Sequence, residues 1–181
     1  MCTSLVTELP IKAPQIYVAC LASEERGIFH GVWVNATLPL ETIQKQIDEM
    51  IEKSPIPDAE RYAIRSYRGF GSFELAENES IEFEVRIKAL LFVKYGELAS
   101  RIFDYCNKDL DDTVLALTHH YIGAYASERD FAVTLFNQSY LKNPDTEIEP
   151  YLNYNQFRKH IFECDYFSLR IENKSHVFVR H

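Results

Sequence analysis

The sequence predicts an α+β chain, and three observations predict it. Two apolar runs rich in Ile, Val, Tyr, Phe and Trp, "QIYVACLA" and "IFHGVWVNA", flank a short polar knot, "SEERG". Shortly after, Ile43, Ile47, Met50 and Ile51 recur at helical spacing. Near the end, Phe167, Leu169 and Ile171 alternate with Ser168 and Arg170. The first and last have the shapes and period of a pleated sheet with one covered face, and the second is the stripe of an amphipathic helix.

Residues 1–14 hold two prolines and little pattern, and read as a loose arm. In "SEERG" the glycine stands where a hairpin connection often needs positive φ. Pro39 can open the helix that follows, and Pro55 and Pro57 stop it. "RYAIRSYRGFG" reads as a third strand ending in a Gly-rich turn, so residues 15–71 form a small antiparallel-sheet domain, β-β-α-β, with one helix. Residues 72–113 contain no proline and one internal glycine, Gly96, after "SFELAENES" and "VKY". They read as an acidic helical domain with one helix before Gly96 and one after, Leu90, Leu91 and Val93 and then Leu98, Ile102 and Phe103 facing inward. Residues 114–181 form a third, α+β domain. There Ser127 and Asp130 have capping-box spacing ahead of a helix with Phe131 and Leu135 one turn apart. "KNPDTEIEP" is a loop, "YLNYNQFRKHIF" a short helix, and "DYFSLRI" and "HVFVRH" a closing hairpin around "ENKS".

With 46% hydrophobic residues the chain can form a core. Its 27 acids outnumber 19 bases for a net charge of −8, which argues against direct contact with nucleic acid or an anionic membrane, since both need clustered cations. The excess is uneven, with ten acids against five bases between residues 72 and 114. Cysteines at 2, 20, 106 and 164 form no Cys-x-x-Cys pair, and no apolar run approaches the ~18 residues of a membrane span. A reducing cytoplasm is the expected setting.

Chemistry is not expected. The one close pair of metal-ligating residues, His119-His120, points two ways on a helix, and no phosphate-cradling or nucleophile-elbow motif is present. Cys20 and His30 face each other across the first hairpin as a conceivable nucleophile and base, but a thiol in an apolar strand is ordinarily core. No catalytic residue, metal or cofactor is therefore assigned.

Four segments, "IYVACLASEERGIFHGVWVNA", "ERYAIRSYRGFG", "HHYIGAYASERDFAVTL" and "EPYLNYNQFRKHIFECDYFSLRIENKSHVFV", resemble in order and spacing those of the ArdA antirestriction proteins, from Ile16 to Val179. The resemblance implies an elongated homodimer of three small domains per chain. It implies a non-catalytic mimic of bent DNA that occupies the DNA-binding groove of type I restriction–modification enzymes and protects incoming mobile-element DNA. The carboxylates it points to here are Glu74, Glu77, Glu79, Glu82, Glu84, Asp104, Asp109, Asp111, Asp112, Glu128, Asp130, Asp145, Glu147 and Glu149. The chain departs from the family pattern at Ala124, Ala126, Asn153 and Asn155, where carboxylates are lost, and at Arg158 and Lys159, where cations are gained. The alternative expectation is an acidic interaction module of the same fold that binds another basic partner.

Overall fold

The computed structural model describes residues 13–139 and 153–180. The chain is α+β and divides into two compact units, residues 1–100 and 101–181. In the first, β1 (Gln15–Cys20) is the centre of an antiparallel sheet ordered β2-β1-β3, with β2 at Gly31–Asn35 and β3 at Tyr62–Arg68. Ile16, Val18, Cys20, Val34 and Ile64 are buried on its covered face. The helix α2 (Leu40–Glu52) buries Ile43, Ile47 and Met50 at the predicted spacing, with Ile51 half-buried, and ends three residues before Pro55.

The first connection is more ordered than a plain hairpin loop. One helical turn, α1 (Leu21–Glu24), follows β1, and Ser23 is buried with its hydroxyl 3.0 Å from that of Ser54. The expected left-handed glycine is there, Gly27 at φ +72°. Gly31 is required for a different reason: a Cβ at that position would stand 2.5 Å from the Val18 carbonyl oxygen and 2.7 Å from the Tyr17 ring.

The two helices around Gly96 are α3 (Arg86–Tyr95) and α4 (Glu97–Tyr105). Leu98, Ile102 and Phe103 are buried as expected, and so is Leu91, but Leu90 and Val93 are 40% and 46% exposed. A π-helical turn, Ile81–Val85, leads into α3, and the buried positions are Val85, Lys88, Ala89 and Leu91. Residues two apart, such as Leu91 and Val93, stand about 160° apart around a helix, so one covered face cannot take both.

In the second unit, α5 (Leu110–Leu115) and a π-helical turn (Ala116–His120) lead into β4 (Tyr121–Tyr125). After α6 (Glu128–Ser139) and α7 (Tyr154–Cys164), β5 (Tyr166–Ile171) and β6 (Lys174–Val179) form the closing hairpin. Its turn passes through Glu172 at φ +53°. The sheet is ordered β4-β6-β5 and antiparallel throughout. Phe131, Ala132, Ile161 and Val177 make the core, with Phe131 edge-on to Tyr125, Phe162 and Tyr166 at 4.9–5.8 Å between ring centres. Phe167, Leu169 and Ile171 of the edge strand β5 are only half-buried, while Val177 and Phe178 of the central strand β6 are fully covered. The expected cap forms: the Ser127 hydroxyl donates to Asp130 Oδ2 at 2.6 Å and accepts from the Asp130 amide at 3.2 Å.

Candidate acidic interface

The acidic stretch after β3 is not a free loop. The Glu77 carbonyl accepts from the Ile64 amide at 3.2 Å, so the backbone is held against β3. The Glu77 carboxylate takes Arg65 Nη1 at 2.5 Å, and the other side of that guanidinium holds Glu24 at 2.8 Å. Glu79 is turned inward: its side chain is 7% exposed, pairs with the buried Lys88 ammonium, and accepts the Ala76 amide at 2.9 Å. Glu84 caps the π-helical turn by accepting the Ser80 amide at 3.0 Å, while Ser80 Oγ accepts from Phe83 at 3.4 Å. Glu74 and Glu82 are exposed.

Across from this segment lies the polar face of α2. Glu41, Asp48, Glu49 and Glu52 together with Glu77, Glu79 and Glu82 line a groove of about 1040 Å³, in which Lys45 is the sole basic side chain among the described residues and Leu40, Tyr62, Ile64 and Ile81 supply apolar surface. Glu49 lies 4.0 Å from both Lys45 and Lys53, exposed pairs that neutralise little. The four carboxylates of α2 are absent from the predicted set. Their signal was available in the spacing 41, 48, 49 and 52, which places them on the helix face opposite Ile43, Ile47 and Met50.

In the second unit Asp104, Asp111 and Asp112 are exposed, and Asp109 Oδ1 caps α5 by accepting the Asp112 amide at 2.8 Å. Three acids at the start of a helix also suit its positive end. Asp130 is exposed while it caps α6. Glu128 is partly spent, with Arg158 Nη1 at 3.2 Å and the Ser168 hydroxyl at 2.9 Å. Asp145, Glu147 and Glu149 lie outside the described residues. Of the eleven described candidates, the structure thus turns Glu79 inward and places cations beside Glu77 and Glu128.

The Cys20–His30 pairing exists in the backbone only, where the Cys20 amide donates to the His30 carbonyl at 2.9 Å. The thiol is fully buried, 3.5 Å from Ser54 Oγ, and His30 Nε2 donates to the Met50 carbonyl at 2.6 Å. Burial pushes the Cys20 thiol up, but hydrogen bonds from Ser23 and Ser54 and from the backbone outweigh it and leave it below its ordinary value. Among the described residues no group of three or more His, Cys, Asp or Glu side chains is placed to hold a metal, and no helix is long and apolar enough to cross a membrane.

One histidine couples the second sheet to pH. His176 Nδ1 shares a hydrogen bond with Tyr121 Oη at 2.9 Å, and burial first, then Lys174, lowers its pKa, with Glu172 opposing. Because the folded value lies below the unfolded one, the unfolded chain takes up the proton more readily. Stability is therefore present above about pH 6.5 and is lost as pH falls through the lowered folded value. Urea unfolding at about pH 7.5 and pH 5 should show this loss, and His176→Gln should shrink it; an equal loss in both proteins would exclude His176 as its source.

The described residues define an α+β protein whose first unit carries a groove lined by carboxylates. The family it comes from is shown by direct comparison. The model of the family described as antirestriction protein (ArdA) matches residues 16–170, and the chain belongs to that family. Among curated proteins none matches it.

Proposed function

We propose that the chain is a non-catalytic DNA mimic that enters the DNA-binding groove of a type I restriction–modification enzyme and shields incoming mobile-element DNA. What carries the reading, beside family membership, is the placement of acids from α2 and from the loop after β3 on two sides of one groove. A duplex presents about one negative charge per 1.7 Å of axis, and its partners answer with Lys and Arg. Carboxylates fixed on folded elements offer such a partner the same kind of field, with no base edges needed, since phosphate contacts supply the sequence-independent part of the affinity. The division into three small domains, assembly as a homodimer and a cytoplasmic location belong to the same proposal. A homodimer doubles the net charge of −8 that one chain brings to the partner.

The second reading, an acidic module for another basic partner, is favoured by the cations beside Glu77, Glu79 and Glu128, which thin the field in both units. The deciding experiment is competition. Purified protein should displace DNA from a type I enzyme, with its potency dropping as salt rises from about 0.05 to 0.3 M, because exposed charges are screened over a Debye length of about 10 Å at 0.1 M. Expressed in cells that carry such a system, it should spare unmodified phage DNA. A soluble protein that fails in both assays is not this kind of inhibitor.

A further inference from the structure

We propose that Lys88 is a positioning residue: its buried ammonium holds the acidic segment Glu74–Glu84 in the conformation that presents its outward carboxylates. The inference rests on the mimic reading and adds to it the device that makes the acidic surface rigid. Lys88 sits on α3 and is 6% exposed, at a position where the helix otherwise buries Ala89 and Leu91. Its Nζ donates to the Glu74 carbonyl at 3.1 Å and pairs with the Glu79 carboxylate, whose other oxygen accepts the Ala76 amide at 2.9 Å. One ammonium therefore ties the segment at residues 74 and 79, and Glu79 in turn holds the Ala76 amide. The backbone bond from Ile64 and the Arg65 contact fasten Glu77 between those points.

A buried ion pair is a poor choice for stability alone, since desolvation offsets most of the attraction and apolar residues of similar volume often do as well or better. What apolar residues cannot do is bind a carbonyl and a carboxylate of a polar loop at once. A rod of charge recognised by fixed cations benefits from carboxylates that need no ordering on binding. With this anchor the exposed Glu74, Glu77 and Glu82 are delivered by a segment whose backbone is already set.

The test replaces the pair together, because Lys88→Met alone leaves Glu79 buried and uncompensated. In the full chain, Lys88→Met with Glu79→Gln keeps an acceptor for the Ala76 amide and removes the hold on Glu74. Hydrogen exchange at residues 74–80 should quicken about ten- to hundredfold, the scale of a lost hydrogen bond to a charged group, with β1 and α2 unchanged. Displacement of DNA from the restriction enzyme should weaken by about tenfold, while the salt dependence of binding keeps its slope, as expected when the outward charges remain but must be ordered. Unchanged exchange in the loop would overturn the anchor, and a loosened loop with wild-type competition would overturn its bearing on binding. If the wild-type protein itself does not compete, the mimic reading falls, and the exchange measurement still decides whether Lys88 holds the segment.

Discussion

Phe178→Ala is expected to destabilise the second unit by about 3–5 kcal/mol, the cost of emptying a packed aromatic site that cannot collapse. Phe178 has no exposed surface and lies on β6, the strand that both β4 and β5 need as a partner. In register it stands between Tyr121 and Phe167, with ring centres 5.0 Å away on either side. Phe167 in turn stacks on Tyr105 at 4.3 Å with planes only 9° apart. Truncation therefore removes an inner ring of a row of four, and the two neighbouring rings sit on strands whose backbones are paired with β6. Against a typical total of about 5–15 kcal/mol this is a large share, so the midpoint of denaturant unfolding should fall sharply without change in slope. Phe178→Leu, which keeps most of the volume, should cost less than about 1.5 kcal/mol. An alanine variant that loses under about 1 kcal/mol would show that the row is loosely packed.

Much of this architecture is legible in the chain because its signals are local. The α2 stripe, the proline stops, the Ser127–Asp130 cap and the β5–β6 hairpin each depend on residues a few positions apart. What escapes is set by residues far away. "YIGAY" is five residues long with a central glycine, and it becomes β4 only because β6 offers it a partner more than fifty residues later. Leu90 and Val93 are read as inward because apolar residues crowd that stretch, whereas α3 buries Lys88, Ala89 and Leu91. The same holds for charge. That residues 74–112 are acidic is visible at once, but not that Arg65 lies against Glu77 or Arg158 against Glu128, across 12 and 30 positions of sequence. Nor does local spacing reveal that α2 sets Glu41, Asp48, Glu49 and Glu52 across a groove from Glu77 and Glu82. A charge count locates the excess by position in the chain, whereas a binding partner meets it by position on the surface.

That distinction gives the mimic reading its sharpest consequence. Replacing Glu41, Glu52 and Glu82 by glutamine and Asp48 by asparagine removes four charges from the groove while keeping shape, and none of the four is ion-paired with another described residue. Each exposed charge that meets a cation contributes about 0.2–1 kcal/mol, so the four together should weaken displacement of DNA by about four- to several-hundredfold. The salt dependence should flatten at the same time, since fewer ions are exchanged on binding. A second variant with Glu60, Glu163 and Glu172 changed to glutamine and Asp165 to asparagine carries the same net charge with the groove intact. If total charge alone attracts the enzyme, both variants weaken equally. If arrangement matters, the groove variant loses most of its inhibition and the other little, because Glu60, Glu163, Asp165 and Glu172 are not among the residues that line the groove. A groove variant that inhibits like the wild type would remove these carboxylates from the interface and turn the search for the binding face to the second unit.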